Sequence, residues 1–114
     1  MDGNLKVNNE INAPVSGSAD MKAYIYGGLR DDGSKVGSNS SSGFTSIRVS
    51  EGYYRVTFNN PISVVKYIVL ATIYSGSKPS FISVRPNANH FNIRTYNNLG
   101  FLSDRYLFFV VYKK

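Results

Sequence analysis

"FTSIRVSEGYYRVTF" (residues 44–58) decides the fold. Two alternating runs flank a Glu-Gly pair at 51–52. In the first run, Thr45, Ile47 and Val49 share one face, and Phe44, Ser46 and Arg48 share the other. In the second, Tyr54, Val56 and Phe58 point inward, and Tyr53, Arg55 and Thr57 point outward. Alternation of period two on both sides of a turn marks an antiparallel hairpin with one buried face. The stretch holds one aromatic more than that face needs, Tyr53, which is expected at a subunit contact before a ligand site.

The neighbouring segments read the same way. "MKAYIYGG" (21–28) is a strand stopped by two glycines. "SVVKYIVLATIY" (63–74) is apolar on both faces: Val65, Tyr67, Val69 and Ile73 against Val64, Ile68 and Leu70. "FISVR" (81–85) and "HFNIRTY" (90–96) are short strands joined by "PNAN". "RYLFFVVYKK" (105–114) is again apolar on both faces. Turn-rich clusters separate these runs, and no helical period is present. Nine tyrosines and seven phenylalanines also favour strands. The expected architecture is all-β: an antiparallel β-sandwich of about seven to eight strands over residues 21–114. Residues 1–20 are expected to form an N-terminal arm or shaft remnant. "LRDDGSKVGSNSSSG" (29–43) is expected to be a mobile polar loop with a turn at Asp31-Asp32-Gly33. A strand apolar on both faces is either central in a sandwich or covered by another subunit, so self-association is expected.

Composition narrows the function. A chain of 114 residues fits one domain and can bury a core without staples. It has no cysteine, so no disulfide and no thiolate chemistry. One histidine, His90, rules out multi-histidine metal sites, and the seven acids are scattered. No cofactor is expected. No G-x-S-x-G, P-loop or zinc spacing occurs. Asp31, Asp32, Glu51 and Asp104 are the acids that could converge for glycoside hydrolysis. Each has a structural account: Asp31-Asp32 and Glu51 in turns, Asp104 tying down the loop before the last strand. The chain is therefore not expected to be an enzyme. No run approaches the roughly 18 apolar residues of a membrane helix, so no membrane insertion is expected. The stretch "MDGNLKVNNEI" carries no apolar signal core.

The formal charge of +6 raises the question of nucleic acid. The bases come singly, however, as Arg48, Arg55, Lys66, Arg85 and Arg94, with Lys113-Lys114 the one adjacent pair. Single charges on strand faces are ordinary and discourage edge pairing. A nucleic-acid partner is not expected, although a small oligonucleotide-binding barrel is a rival reading. Asparagine recurs in "NNEIN", "FNNP", "NANHFN" and "YNN". Amides donate and accept, which suits sugar hydroxyls, and tyrosine adds a flat apolar face with a polar tip. The candidate ligand contacts lie in or beside the loops at 75–80, 86–90 and 97–104: Tyr74, Lys78, Asn87, Asn89, His90, Tyr96 and Asn98. The plain alternative is that asparagine makes turns and tyrosine packs.

The order of these elements resembles the C-terminal tip domain of phage and prophage tail-fibre receptor-binding proteins. A G-x-Y-x-V-x-F arm is carried by Gly52, Tyr54, Val56 and Phe58, followed by Pro61. A Y-x-V-x-A-T strand follows at Tyr67, Val69, Ala71 and Thr72. Phe91, Ile93, Arg94, Thr95, Asn97 and Gly100 match the next segment, and Asp104 and Phe108 the closing strand. The likeness covers residues 44–114, and "GNLKVNNEINAPVS" is similar to the short repeats of fibre shafts. It implies a homotrimeric β-sandwich tip that recognises a bacterial cell-surface glycan or other surface receptor. The implied location is the virion tail, or the cytoplasm before assembly if prophage-encoded. The alternative is a virion structural or assembly module without ligand binding. The long polar loop at 29–43 and the basic charge depart from the family's pattern.

Overall fold

The computed structural model describes residues 22–74 and 79–114. The expected arm at 1–20 and the candidate Lys78 lie outside the described residues. The described residues form seven strands: β1 Lys22–Leu29, β2 Phe44–Ser50, β3 Tyr53–Phe58, β4 Tyr67–Ile73, β5 Phe81–Pro86, β6 His90–Tyr96 and β7 Leu107–Lys113. They form two antiparallel sheets, ordered β1-β7-β4 and β2-β3-β6-β5. The expected all-β sandwich architecture is observed.

Alternation places the core between the sheets. β1 and β7 supply Ile25, Leu29, Leu107, Phe109 and Val111 from one side. β3 and β6 supply Tyr54, Val56, Phe58, Phe91 and Ile93 from the other. Aromatic rings join the two layers. Phe109 meets Phe44 at 5.2 Å and Phe91 at 5.3 Å, both edge-on. Phe58 meets Tyr67 at 5.2 Å in the same manner. Such pairs contribute roughly 0.5–1.5 kcal/mol each beyond the area they bury. Gly27 makes room for one of them, since a Cβ there would lie 2.8 Å from the Phe44 ring.

The 44–58 hairpin forms, and its second arm faces as expected. In its first arm the inward set is Phe44, Ser46 and Arg48, which pair with Phe58, Val56 and Tyr54. Ile47 and Val49 are exposed on the opposite face. Directly opposed residues share a face, so the buried set of β3 dictates that of β2.

The segment after β1 is tethered instead of hanging free. Leu29 belongs to β1 and is fully buried. The Val36 amide donates to the Gly28 carbonyl, and the Ser41 amide to Tyr26. The Asp31-Asp32-Gly33 turn is present, with the Ser34 amide and hydroxyl both donating to Asp32 Oδ1. The short side chains of this polar run let it bond back along β1.

Gly52 closes the central hairpin at φ +67°. A Cβ at Gly52 would lie 2.6 Å from the Ser103 amide nitrogen and 2.7 Å from the Thr95 carbonyl oxygen. Gly52→Ala is expected to lower unfolding free energy by about 2 kcal/mol or more, from left-handed strain and backbone clash. Gly37→Ala, with open space around it, serves as the control and is expected to stay within about 0.5 kcal/mol. Urea denaturation of both variants checks this.

Candidate functional site

Three places concentrate chemistry: a polar node at one end of the sandwich and the two outer sheet faces. The node is built on Asp104, just before β7. Its carboxylate accepts from Arg48 Nε at 3.0 and 3.1 Å and from the Gly52 amide at 2.7 Å. The Arg48 Nη2 group completes the ion pair at 2.9 Å. The Tyr54 hydroxyl has one proton to offer, to the Asp31 carbonyl at 2.8 Å or to Asp104 at 3.2 Å. The same oxygen accepts from the Arg105 amide. Burial is the main cause that pushes the Tyr54 phenol up to about 12. Burial also acts to raise Asp104, but the Arg48 and Gly52 hydrogen bonds outweigh it and hold the carboxyl below its ordinary value. The node ties the β2–β3 turn and the 29–43 segment to the start of β7, as the sequence reading of Asp104 anticipates. It leaves the carboxylate little capacity for proton transfer. Among the described residues, no three of His, Cys, Asp and Glu gather as a metal-ligand set.

The sequence candidates separate into groups. Asn87 and Asn89 occupy the β5–β6 turn, and His90 opens β6. That turn is held by the Tyr67 hydroxyl, which accepts from the Asn87 amide at 2.9 Å, and by the Phe58 amide donating to the Asn89 carbonyl. Tyr96 and Asn98 lie at the other end of β6, roughly 20 Å away for six residues of strand. Tyr74 follows β4 and packs on Tyr106 and Phe108, at 5.2 and 5.4 Å. These residues therefore do not converge on one pocket. His90 and Tyr96 do share the outer face of the four-stranded sheet, because each is an even number of residues from Asn92 and Arg94. Burial first, and the Arg55 charge second, hold the His90 imidazole below its usual pKa.

Among the described residues, three cross-strand rows on the outer face of the three-stranded sheet carry no charge, and lysines gather beyond Ala23 at one end. Tyr26, Val110 and Leu70 make one cross-strand row, Ala23, Tyr112 and Ile68 another, and Gly28, Phe108 and Thr72 a third. Leu70 is 57% exposed and Ile68 46%. A shallow depression between β4 and β7 is lined by Leu70, Thr72, Phe108 and Val110. The sequence reading left this second apolar face either buried in the sandwich or covered by a subunit. Within the described residues of one chain it is uncovered. The opposite outer face, on β2-β3-β6-β5, is basic over β3, β6 and β5 and carries exposed Ile47, Val49 and Phe81 at its margins; the sequence candidates omitted its arginines. The missed signal is the alternation that puts Arg55, Arg85 and Arg94 on neighbouring strands of one face.

Compared with known proteins, the chain matches no protein-family model, no curated protein and no solved structure. No described helix is long and apolar enough to cross a membrane.

The node gives a pH prediction. A carboxyl whose folded-state pKa is depressed stabilises the fold above its unfolded value and loses that contribution as pH falls. Stability is therefore expected to fall as pH drops below about 4, the ordinary aspartate range. Asp104→Asn is expected to cost about 1 kcal/mol at pH 7, a modest figure because the pair is partly solvated, and to make the acid fall shallower. Thermal melts of both proteins between pH 2 and pH 7 check it.

Proposed function

We propose that the chain is a non-catalytic receptor-binding domain of a phage or prophage tail fibre, displayed on the virion. It assembles as a homotrimer and recognises a bacterial surface ligand, a glycan. The observation that carries this reading is the uncharged rows on the outer face of β1-β7-β4. Apolar rows crossing all three strands of a sheet are a poor surface for a lone chain in water and a good one against copies of itself. The motif order over residues 44–114 supports the same class. Self-association leaves the polar outer face of the other sheet pointing away from the contact. Weak sites on three copies then act together, and avidity supplies the strength.

Sedimentation and host-cell adsorption test the reading. The wild-type chain is expected to sediment as a three-chain assembly. Leu70 is largely exposed in the single chain, so Leu70→Glu is expected to leave the fold intact and release folded monomers. Adsorption is then expected to fall by about a hundredfold or more as avidity is lost. A stable wild-type monomer at low concentration would contradict the proposal. A trimer that adsorbs to no cell would favour the assembly module instead.

A further inference from the structure

The outer face of β2-β3-β6-β5 concentrates positive charge. Arg55, Asn92 and Arg85 form one cross-strand row, and Tyr53, Arg94 and Ser83 form the next. These four strands contain no aspartate or glutamate. Among the described residues the ion pair is made by Arg48 with Asp104, at the node, and none of the three outer arginines has a carboxylate partner. Strand spacing puts the Arg55 and Arg85 backbones roughly 10 Å apart, with Arg94 roughly 7 Å further along β6 from their row. Like charges at this spacing repel, and an anion laid across them relieves the repulsion.

Two of the guanidinium groups are already positioned. Arg55 Nε donates to Asn92 Oδ1 at 3.0 Å, and Asn92 is only 8% exposed. Arg94 stacks 4.3 Å above the Tyr53 ring. A guanidinium stacked on a ring is held in place while its in-plane N–H groups stay available, and that planar fork matches a carboxylate. Little ordering is left for the moment of binding.

We infer that this face binds a carboxylate-bearing polysaccharide, with Arg55, Arg85 and Arg94 as the anion contacts. The inference rests on the receptor-binding reading and names the chemical class of its ligand. A nucleic acid fits the same face less well. Binding single strands requires open ring faces for successive bases. Arg94 occupies the Tyr53 face, so the open rings are Phe81, exposed at the start of β5, and its cross-strand partner Tyr96, at one end of the sheet instead of along it. That end suits the C–H face of a sugar. The hydroxyls of Thr57 and Ser83 and the imidazole of His90 complete a surface suited to sugar hydroxyls.

The test uses the full chain and titration calorimetry with polygalacturonate oligomers. The same oligomers as methyl esters supply an uncharged control, and oligo-dT supplies a second polyanion. Wild-type protein is expected to bind polygalacturonate, to weaken as salt rises, and to ignore the ester. Arg85→Gln, on the exposed edge strand, is expected to lose about tenfold in affinity. Arg55→Gln with Arg85→Gln and Arg94→Gln together should abolish binding, while Lys66→Gln, off this face, leaves it unchanged. Melting curves confirm that each variant is folded. Equal binding of the ester, tighter binding of oligo-dT, or arginine variants that bind as wild type would each overturn the inference. Adsorption to host cells without polygalacturonate binding overturns it and leaves the receptor-binding reading standing. Loss of both removes the two together.

Discussion

Phe109 sits edge-on between Phe44 and Phe91 and locks one sheet onto the other. That contact also dictates what the molecule shows to its surroundings. A strand alternates strictly, so turning Phe109 inward turns Phe108 and Val110 outward. β7 pairs with β4 in continuous register, and with β1 in register from Ile25 to Leu29 beyond a bulge at Tyr24, so both neighbours inherit the same parity over that length. Tyr26, Ile68 and Leu70 are thereby committed to the outer face. The apolar surface is a consequence of core packing combined with a sequence that is apolar at both parities.

The other sheet obeys the same geometry with a different residue set. Tyr54, Val56, Phe91 and Ile93 face the core, so Tyr53, Arg55, Asn92 and Arg94 face out. The sandwich thus has one exterior with uncharged apolar rows and one basic exterior with hydroxyl and amide groups. Asp104 stabilises this division by fastening the start of β7 to the hairpin that carries half of the basic face.

Much of this was legible in local sequence. The 44–58 hairpin, the buried set of β3, the double apolar character of 63–74 and 105–114, and the turn at Asp31-Asp32-Gly33 all follow from period and turn chemistry. What escaped was non-local. Alternation separates Ile47 and Val49 from Phe44, Ser46 and Arg48 and leaves open which set is buried. Arg48 shares the face of Tyr54 and stays exposed, where it reaches its partner Asp104, 56 positions away. The 29–43 segment reads as free because its short polar side chains conceal the bonds it makes along β1. The candidate ligand residues were chosen loop by loop, and β6 holds two of those loops apart by its own length. The basic face needed strand order, since Arg55, Arg85 and Arg94 become neighbours only once β3, β6 and β5 lie side by side.

We propose that one outer face is covered by copies of the chain while the other stays open. Methyl NMR of the wild-type protein with a soluble paramagnetic probe tests it most directly. Ile68, Leu70, Ile47 and Val49 are all exposed in the single chain, the first two on the apolar face and the last two on the other. In the assembled protein the Ile68 and Leu70 methyls are predicted to be shielded, and those of Ile47 and Val49 strongly broadened. Equal broadening of all four would contradict the account.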